Sequence, residues 1–145
     1  MLQRNVPQKF FRGSRRKQGC KINSKTGNYV KHIILYRCQN CGGPEKKIAL
    51  PYVREFVLSC SGQLEAIHIL RAFEDGEQGV CIVICDTTRC KTLEGSTRAL
   101  RRIKLAEHLL MEAGIDKKRL MTIRFEPDRD ITKELSDFHA LLQGA

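Results

Sequence analysis

Short apolar runs alternate with longer segments of helical periodicity in this chain, and this alternation constrains the fold more than any other feature. The apolar, β-prone runs are residues 32–36, 52–59, 80–84 and 121–125. Strands separated by helices pair in parallel, and strands buried on both faces are continuously apolar. The sequence therefore predicts a single α/β domain, with a small open parallel sheet of about four strands and flanking helices.

Four segments between and after these runs have helical patterns. They are residues 44–50, 62–75, 95–113 and 130–143. Ser61 is the expected N-cap of the second helix and Gly114 the C-terminal cap of the third, while Asp116 starts a single turn. One face of the second helix is predicted to carry its core residues, namely Leu64, Ile67, Leu70 and Phe73. The first helix must be short, because about ten residues separate Cys41 from the second strand, close to the minimum for a βαβ crossover.

The basic charge of the chain belongs to its N-terminal segment. Residues 1–31 hold nine basic and no acidic side chains, whereas residues 32–145 hold 17 basic and 16 acidic ones. The segment has few aliphatic residues, so we expect a disordered basic tail followed by one folded domain over residues 32–145. The tail is interpreted as a solvated extension, with binding to nucleic acid or to an acidic partner as the alternatives. No run is long and apolar enough for a signal or a membrane span, so a soluble, cytoplasmic protein is expected.

Cysteines follow three of the predicted strands. The chain has seven cysteines, at positions 20, 38, 41, 60, 81, 85 and 90. The carboxyl ends of parallel strands form one edge of a sheet, so five of these thiols are expected at one rim: Cys38, Cys41, Cys60, Cys85 and Cys90. Loops and helix starts are expected to expose them, and exposed thiols without a ligand oxidise. An odd number of cysteines without a secretory signal indicates metal binding or redox chemistry rather than a disulfide framework.

The thiols alone leave three chemistries open. Four thiolates can hold zinc or an iron-sulfur cluster, and a Cys-x-x-Cys such as "RCQNCGGP" (37–44) can also exchange disulfides. A zinc ribbon fits poorly, because the second pair is spaced Cys-x-x-x-x-Cys and Cys60 stands alone. A thiol-disulfide exchanger leaves three rim thiols unexplained. Cys81 is interpreted as a core residue of its strand and Cys20 as a bystander.

Other motifs are weak. The chain lacks a phosphate-binding glycine loop. His68, His108 and His139 are interpreted as surface or core-edge residues of helices rather than ligands. The basic stretch "RALRRIK" (98–104) is interpreted as a solvated helix face, with docking of an acidic partner as the alternative. Backbone amides of Gly42, Gly43, Ser61 and Gly62 are candidate hydrogen-bond donors to sulfur.

Several blocks between residues 31 and 120 resemble one family, the delta (iron-sulfur) subunit of methyl-viologen-reducing hydrogenases. The blocks are Cys38-x-x-Cys41 after a strand, "CSGQ" (60–63), "ILRAFEDGEQGVCIVIC" (69–85), Cys90, "LEGSTRALRRIK" (93–104) and "LLMEAGIDKKRL" (109–120). Their order and spacing together carry the resemblance.

This resemblance implies a [2Fe-2S] electron-transfer subunit. Zn²⁺ stays the alternative metal, because four thiolates can also hold zinc. The matched cysteines are Cys38, Cys41, Cys60, Cys85 and Cys90, of which four would bind iron. The implied donor is a hydrogenase or other dehydrogenase, and the implied acceptor is the flavin subunit of a heterodisulfide-reductase-like complex in an anaerobic organism. No catalysis is expected from the isolated chain. The alternative function is a zinc-binding module for nucleic acid or protein that uses the basic tail.

Overall fold

Four strands pair in parallel in one sheet within residues 31–42 and 47–144, the part of the chain that the computed structural model describes. They are β1 (Ile33–Cys38), β2 (Val53–Leu58), β3 (Gly79–Ile84) and β4 (Leu120–Arg124). The strand order across the sheet is β2-β1-β3-β4. The predicted fold class and all four predicted strands are confirmed. The predicted basic tail lies outside the described residues, apart from its last residue.

Three helices cover the two faces of this sheet. They are α1 (Ala66–Glu74), α2 (Gly95–Glu112) and α3 (Ile131–Gln143). The first two pack on one face, where Ile69 and Ile103 join a core with Ile82. The third covers the other face through Leu135 and Phe138. Because both faces are covered, all six residues of β3 are buried, which explains why its sequence is continuously apolar.

The predicted start of the second helix is wrong. Ser61 lies in a short 3-10 turn, Ser61–Gln63, and α1 begins only at Ala66 after Glu65 as N-cap. The amide of Glu65 donates to Nδ1 of His68 at 3.0 Å, which closes the first turn of the helix. The predicted inner face was also partly wrong, since Ile67 is 48% exposed and Ile69 is buried. Three-residue steps fall short of a 3.6-residue turn, so such a stripe drifts around the helix.

The first predicted helix, residues 44–50, does not form over its described part. Residues 47–50 have no regular structure, and residues 43–46 lie outside the description. The backbone amide of Ile48 instead donates to Oε2 of Glu55 on β2 at 3.3 Å. The connection between β1 and β2 is too short for a helical layer, and its residues 47–50, called the strap below, are irregular.

The remaining boundaries agree closely with prediction. Gly114 follows α2 with a φ of +77°, the left-handed conformation expected of a C-terminal glycine. Asp116 caps a 3-10 turn, Lys117–Arg119, by accepting from the amide of Lys118 at 2.9 Å. Within α2, Leu105 is 52% exposed, whereas Ile103 and Leu110 are buried. No helix of the described residues is both long and apolar enough to cross a bilayer.

Candidate metal centre

Three thiols meet at the carboxyl ends of the two central strands. Cys38 is the last residue of β1, Cys41 lies in the turn that follows, and Cys85 comes directly after β3. Sγ of Cys85 lies 3.2 Å from Sγ of Cys41 and 3.9 Å from Sγ of Cys38. The order β2-β1-β3-β4 makes β1 and β3 neighbours whose connections leave in opposite directions. Such a switch point is where open parallel sheets bind ligands.

The electrostatics of these three thiols are unequal. A hydrogen bond from the Cys41 thiol lowers the pKa of Cys38 to about 5. The backbone amides of Asn40 and Ser61 act in the same direction, against burial. The pKa of Cys41 is raised, mainly by the same hydrogen bond to Cys38 and then by burial. The pKa of Cys85 is also raised, mainly by burial. Ionisation is thus favoured at Cys38 and opposed at the other two thiols, whose protons a metal ion would have to displace.

Two further thiols form a second group around Thr92. Its Oγ1 lies 2.9 Å from Sγ of Cys60 and 3.3 Å from Sγ of Cys90. The amide of Gly62 donates to the sulfur of Cys60 at 3.3 Å. Burial of Cys90 opposes its ionisation, but hydrogen bonds from Ser96 and Thr92 outweigh burial and lower the pKa of Cys90 to about 7. The second group is therefore also set up to hold negative charge on sulfur.

Gly95, the first residue of α2, is packed against this second group. A methyl group at this position would overlap Sγ of Cys60 and Oγ1 of Thr92, and would lie 3.4 Å from Sγ of Cys90. Gly62 approaches it from the opposite side, since a Cβ there would lie 3.1 Å from the Cα of Gly95. The start of α2 thus comes close to both thiols only because it has no side chain. A helix N-terminus also favours thiolates.

A buried ion pair positions the turn that carries Cys41. Arg37 is only 2% exposed, and its Nε donates to Oε1 of Glu55 at 2.7 Å. Its Nη1 donates to the backbone carbonyl of Cys41 at 2.9 Å. Glu55 also accepts from the amide of Ile48. One charged pair therefore joins the Cys41 turn, the strap and β2.

Arg102 on α2 holds the turn that carries Cys60. Its Nη1 donates to the carbonyls of Gly62 at 2.6 Å and Leu64 at 3.0 Å. Its Nη2 lies 2.9 Å from Oε1 of Glu65. Arg102 belongs to the basic stretch that was interpreted from sequence as a solvated face, but it stabilises the fold instead. These contacts tie the turn of Cys60 to α2.

The structure corrects the expected exposure of the rim cysteines. Cys38, Cys41, Cys85 and Cys90 are buried, and Cys60 is partly buried. The four buried thiols pack in the apolar cluster beneath α3. Their environment is therefore that of a covered site rather than of exposed loops. Cys38 also lies within β1 rather than after it, and its strand ends two residues later than predicted.

The other sequence assignments have mixed outcomes. Cys81 is fully buried in β3, as predicted. Cys20 and Gly43 lie outside the described residues. His108 is exposed and pairs with Glu112, and His139 stacks on Tyr52 with ring centroids 3.9 Å apart. Neither lies in the thiol site, which agrees with the prediction.

Sequence reasoning missed four residues that build the site: Arg37, Thr92, Gly95 and Arg102. Gly95 was interpreted only as the start of a helix, and Arg102 only as part of its outer face. Thr92 lies two residues after Cys90, and this proximity was the one available signal. The role of Arg37 depends on its pairing with β2, which no local pattern reveals.

The residues present fit a thiolate-bound metal centre. Among the described residues, Cys38, Cys41 and Cys85 have sulfur atoms all within 4.8 Å of one another. Two thiolates on one tetrahedral metal, with bonds of about 2.3 Å, lie roughly 3.8 Å apart, which matches the 3.9 Å between Cys38 and Cys85. The hydroxyl of Ser61 is buried without a hydrogen-bond partner among the described residues, so it is available to donate to a further acceptor at this site.

The fold and the site define a class: small parallel α/β domains whose sheet edge carries a buried cluster of thiols. The family model for the methyl-viologen-reducing hydrogenase, delta subunit, matches residues 33–143. The chain therefore belongs to this family. The match covers β1 to α3 and thus every element described above.

Individual relatives agree with this assignment. The chain is 34% identical over 85 residues to an iron-sulfur subunit of the F420-non-reducing hydrogenase of Archaeoglobus profundus, covering 59% of this chain and 62% of that one. It is 37% identical to an iron-sulfur subunit of the vhc F420-non-reducing hydrogenase of Methanococcus voltae, covering 65% of this chain and 70% of that one. It is 26% identical over 88 residues to one subunit of the ferredoxin:CoB-CoM heterodisulfide reductase of Methanosarcina mazei, over 11% of that chain. Against the first relative, the match thus spans somewhat less than two thirds of its length.

Proposed function

We propose that this chain is a [2Fe-2S] electron-transfer subunit that relays electrons to a heterodisulfide-reductase-type flavoprotein. The observation that carries the proposal is the meeting of Cys38, Cys41 and Cys85 within 4.8 Å at the switch point of the sheet. Cys60 and Cys90 supply further thiols from neighbouring turns. The names of the hydrogenase relatives, which include the words iron-sulfur, support this choice over zinc. We place the protein in the cytoplasm as part of the same proposal.

Four of the five thiols would hold the cluster, since a [2Fe-2S] centre takes four cysteine ligands. The first group has three thiols (Cys38, Cys41 and Cys85) and the second has two (Cys60 and Cys90), which is one more than the cluster needs. Any choice of four therefore includes at least one of Cys60 and Cys90. The cluster, when bound, supplies a site that accepts and returns one electron at a time.

The chain's own residues hold and tune this site. The amides of Ser61 and Gly62 donate to the sulfurs of Cys38 and Cys60, and Thr92 contacts both thiols of the second group. Burial of the first group excludes water from the sulfurs. Hydrogen bonds and solvent exposure of this kind set reduction potential. No acid, base or nucleophile is required, so we expect no turnover from the isolated chain.

The proposed partners rest on the relatives. A segment similar to this chain forms 11% of one subunit of the heterodisulfide reductase of Methanosarcina mazei. In that subunit, a segment similar to this chain is joined to the rest of the protein. We therefore infer that this chain, as a separate protein, binds the rest of such a subunit. The iron-sulfur relatives are named as parts of hydrogenases. A hydrogenase or another dehydrogenase is therefore proposed as the electron donor.

Metal analysis of the anaerobically purified protein tests the proposed cofactor. We expect about two iron and two acid-labile sulfide per chain, visible absorption and a paramagnetic signal on reduction. Serine substitution at each of the five site cysteines should lower iron content at four positions and spare it at the fifth. Cys81→Ala is the matched control, because Cys81 is buried in β3 away from the proposed site, and it should retain iron. A colourless protein with one zinc and no sulfide would refute the proposal.

Replacement of Thr92 by valine should lower the midpoint potential of the cluster. The reduced cluster carries one more negative charge, so a hydroxyl directed at sulfur stabilises it. A net hydrogen bond of about 0.5–1.5 kcal/mol corresponds to roughly 20–60 mV for one electron. Because Thr92 contacts both Cys60 and Cys90, the effect does not depend on which of them binds iron. Thr92→Ser is the control and should keep the potential near that of the wild type in a redox titration.

A further inference from the structure

Leu93 is held in an unfavourable state on the surface of the isolated chain. Its side chain is 82% exposed, the most exposed of the large hydrophobic side chains described. Its φ is +61°, and it is the only non-glycine residue with a positive φ in the described part of the chain. Left-handed backbone is disfavoured for side chains such as leucine, and strain of this kind concentrates at functional sites. Neither the conformation nor the exposure stabilises the fold.

The turn that carries Leu93 is firmly built. The amide of Leu93 donates to the carbonyl of Cys90 at 3.0 Å, and the amide of Glu94 donates to the carbonyl of Thr92 at 2.7 Å. The carboxylate of Glu94 pairs with Arg98 at 2.9 Å. These bonds fix the backbone on both sides of Leu93. The Cα–Cβ bond of Leu93 is therefore held in a defined direction.

Leu93 lies at the edge of a cavity over the second thiol group. The cavity has a volume of about 330 Å³, and its lining includes Cys60, Thr92, Leu93 and Gly95. Cys60 is the most exposed of the five site cysteines. A protein that covered Leu93 would therefore also cover the thiol that comes nearest to solvent.

The segment that begins at Leu93's turn and continues into α2 is strongly basic. Residues 89–104 contain six basic side chains and one acidic one. Arg98 and Arg102 have acidic partners within the chain, whereas Arg89, Lys91, Arg101 and Lys104 are exposed. A second copy of this chain would bring the same positive charge to the contact, which disfavours a homodimer here. The surface instead fits an acidic protein.

We propose that Leu93 and the turn of residues 91–94 form the docking point for the electron-accepting partner. Leu93 inserts into an apolar pocket of the partner, and carboxylates around that pocket face Arg89, Lys91 and Arg101. An apolar centre with a charged rim is the usual arrangement of such contacts. The partner is a redox protein whose own cofactor lies near the pocket. The identity of this partner rests on the proposed function, under which it is the heterodisulfide-reductase-type flavoprotein.

The Leu93→Asn variant of the full chain tests this proposal. Asparagine tolerates a positive φ better than leucine, so the variant should fold as well as the wild type while losing the apolar side chain. The probe is the purified heterodisulfide-reductase-type flavoprotein from the same organism, and the measurement is its Kd under anaerobic conditions. We expect Leu93→Asn to weaken binding at least tenfold. Lys91→Glu should also weaken binding, and its effect should be larger at low salt than at high salt. The matched control is Leu141→Asn on α3, where Leu141 is 54% exposed, and it should bind like the wild type.

Two readouts separate this proposal from the proposed function. Iron content and midpoint potential, measured on the same samples, should be unchanged by Leu93→Asn. If the wild type carries iron and binds the probe, equal affinity of Leu93→Asn and the wild type overturns the docking proposal alone. A wild-type dimer that Leu93→Asn dissociates in sedimentation would also overturn it, in favour of a contact between copies. Absence of iron from every sample would instead refute the proposed function.

Discussion

Replacement of Gly95 by alanine is expected to remove most of the iron from the anaerobically purified protein while preserving the fold. A methyl group on Gly95 would overlap Sγ of Cys60 and Oγ1 of Thr92, and would contact Sγ of Cys90. At least one of Cys60 and Cys90 must be a ligand if four of the five thiols are used. The methyl group would force Cys60 to move and would press on Cys90 at 3.4 Å, so it disturbs every permitted set of ligands.

Relaxation of the neighbouring groups cannot easily make room for this methyl group. On one side, the turn of Cys60 is tied to α2 through Arg102, which binds the carbonyls of Gly62 and Leu64. On the other side, Ser96 is fully buried, so the start of the helix cannot tilt outward without exposing core. The sulfur and the hydroxyl must rotate away instead. The site would then lose its geometry while the elements around it stay in place.

The fold should survive the loss of iron. Alanine is better than glycine in a helix by about 1 kcal/mol, so the metal-free variant should keep its helical circular dichroism. Gly144→Ala is the matched control, because a Cβ there meets only ordinary contacts at 3.7 Å or more. The measurement is iron per chain, beside circular dichroism of the same sample. A Gly95→Ala protein with full iron would contradict the ligand role given to the second thiol group, and with it a centre held by four of the five cysteines.

The strands of this protein could be predicted from sequence because burial on both faces leaves a strong local signal. β3 is buried along its whole length and contains no polar side chain, so its limits are visible in the sequence. The same reasoning placed Cys38, Cys60 and Cys85 near strand ends, and thus at one edge. Even the family resemblance rests on this spacing of cysteines and strands.

The grouping of the thiols could not be predicted, because it depends on the order of strands across the sheet. The pairing of β1 with β3 brings Cys85 to Cys38, whereas β2 at the edge keeps Cys60 with the start of α2. Strand order follows from tertiary packing rather than from local pattern. The wrong start of α1 has a related cause, since Ser61 looked like a helix cap but is held in a turn beside the thiols. Contacts across elements decided both outcomes.

Replacement of Arg37 by methionine is expected to lower the free energy of unfolding by about 3–5 kcal/mol, the usual cost of breaking a buried ion pair. The side chain is 2% exposed and Glu55 is 12% exposed, so the carboxylate would be left without its charged partner away from water. The carbonyl of Cys41 would lose its donor as well. Guanidinium unfolding of the anaerobic protein measures the change. Arg98→Met is the control, because its exposed pair with Glu94 should contribute less than about 1 kcal/mol.

The double variant Arg37→Met with Glu55→Leu separates stability from positioning. Removing both charges eliminates the unpaired carboxylate, and buried pairs replaced by apolar side chains are often no less stable. We therefore expect the double variant to recover most of the lost stability. Iron content should be low in the single and the double variant alike, because neither holds the carbonyl of Cys41 with a guanidinium, and the double variant also lacks the acceptor for the amide of Ile48. Recovery of iron together with stability would show instead that the pair acts only through the fold, and that the Cys41 turn positions itself.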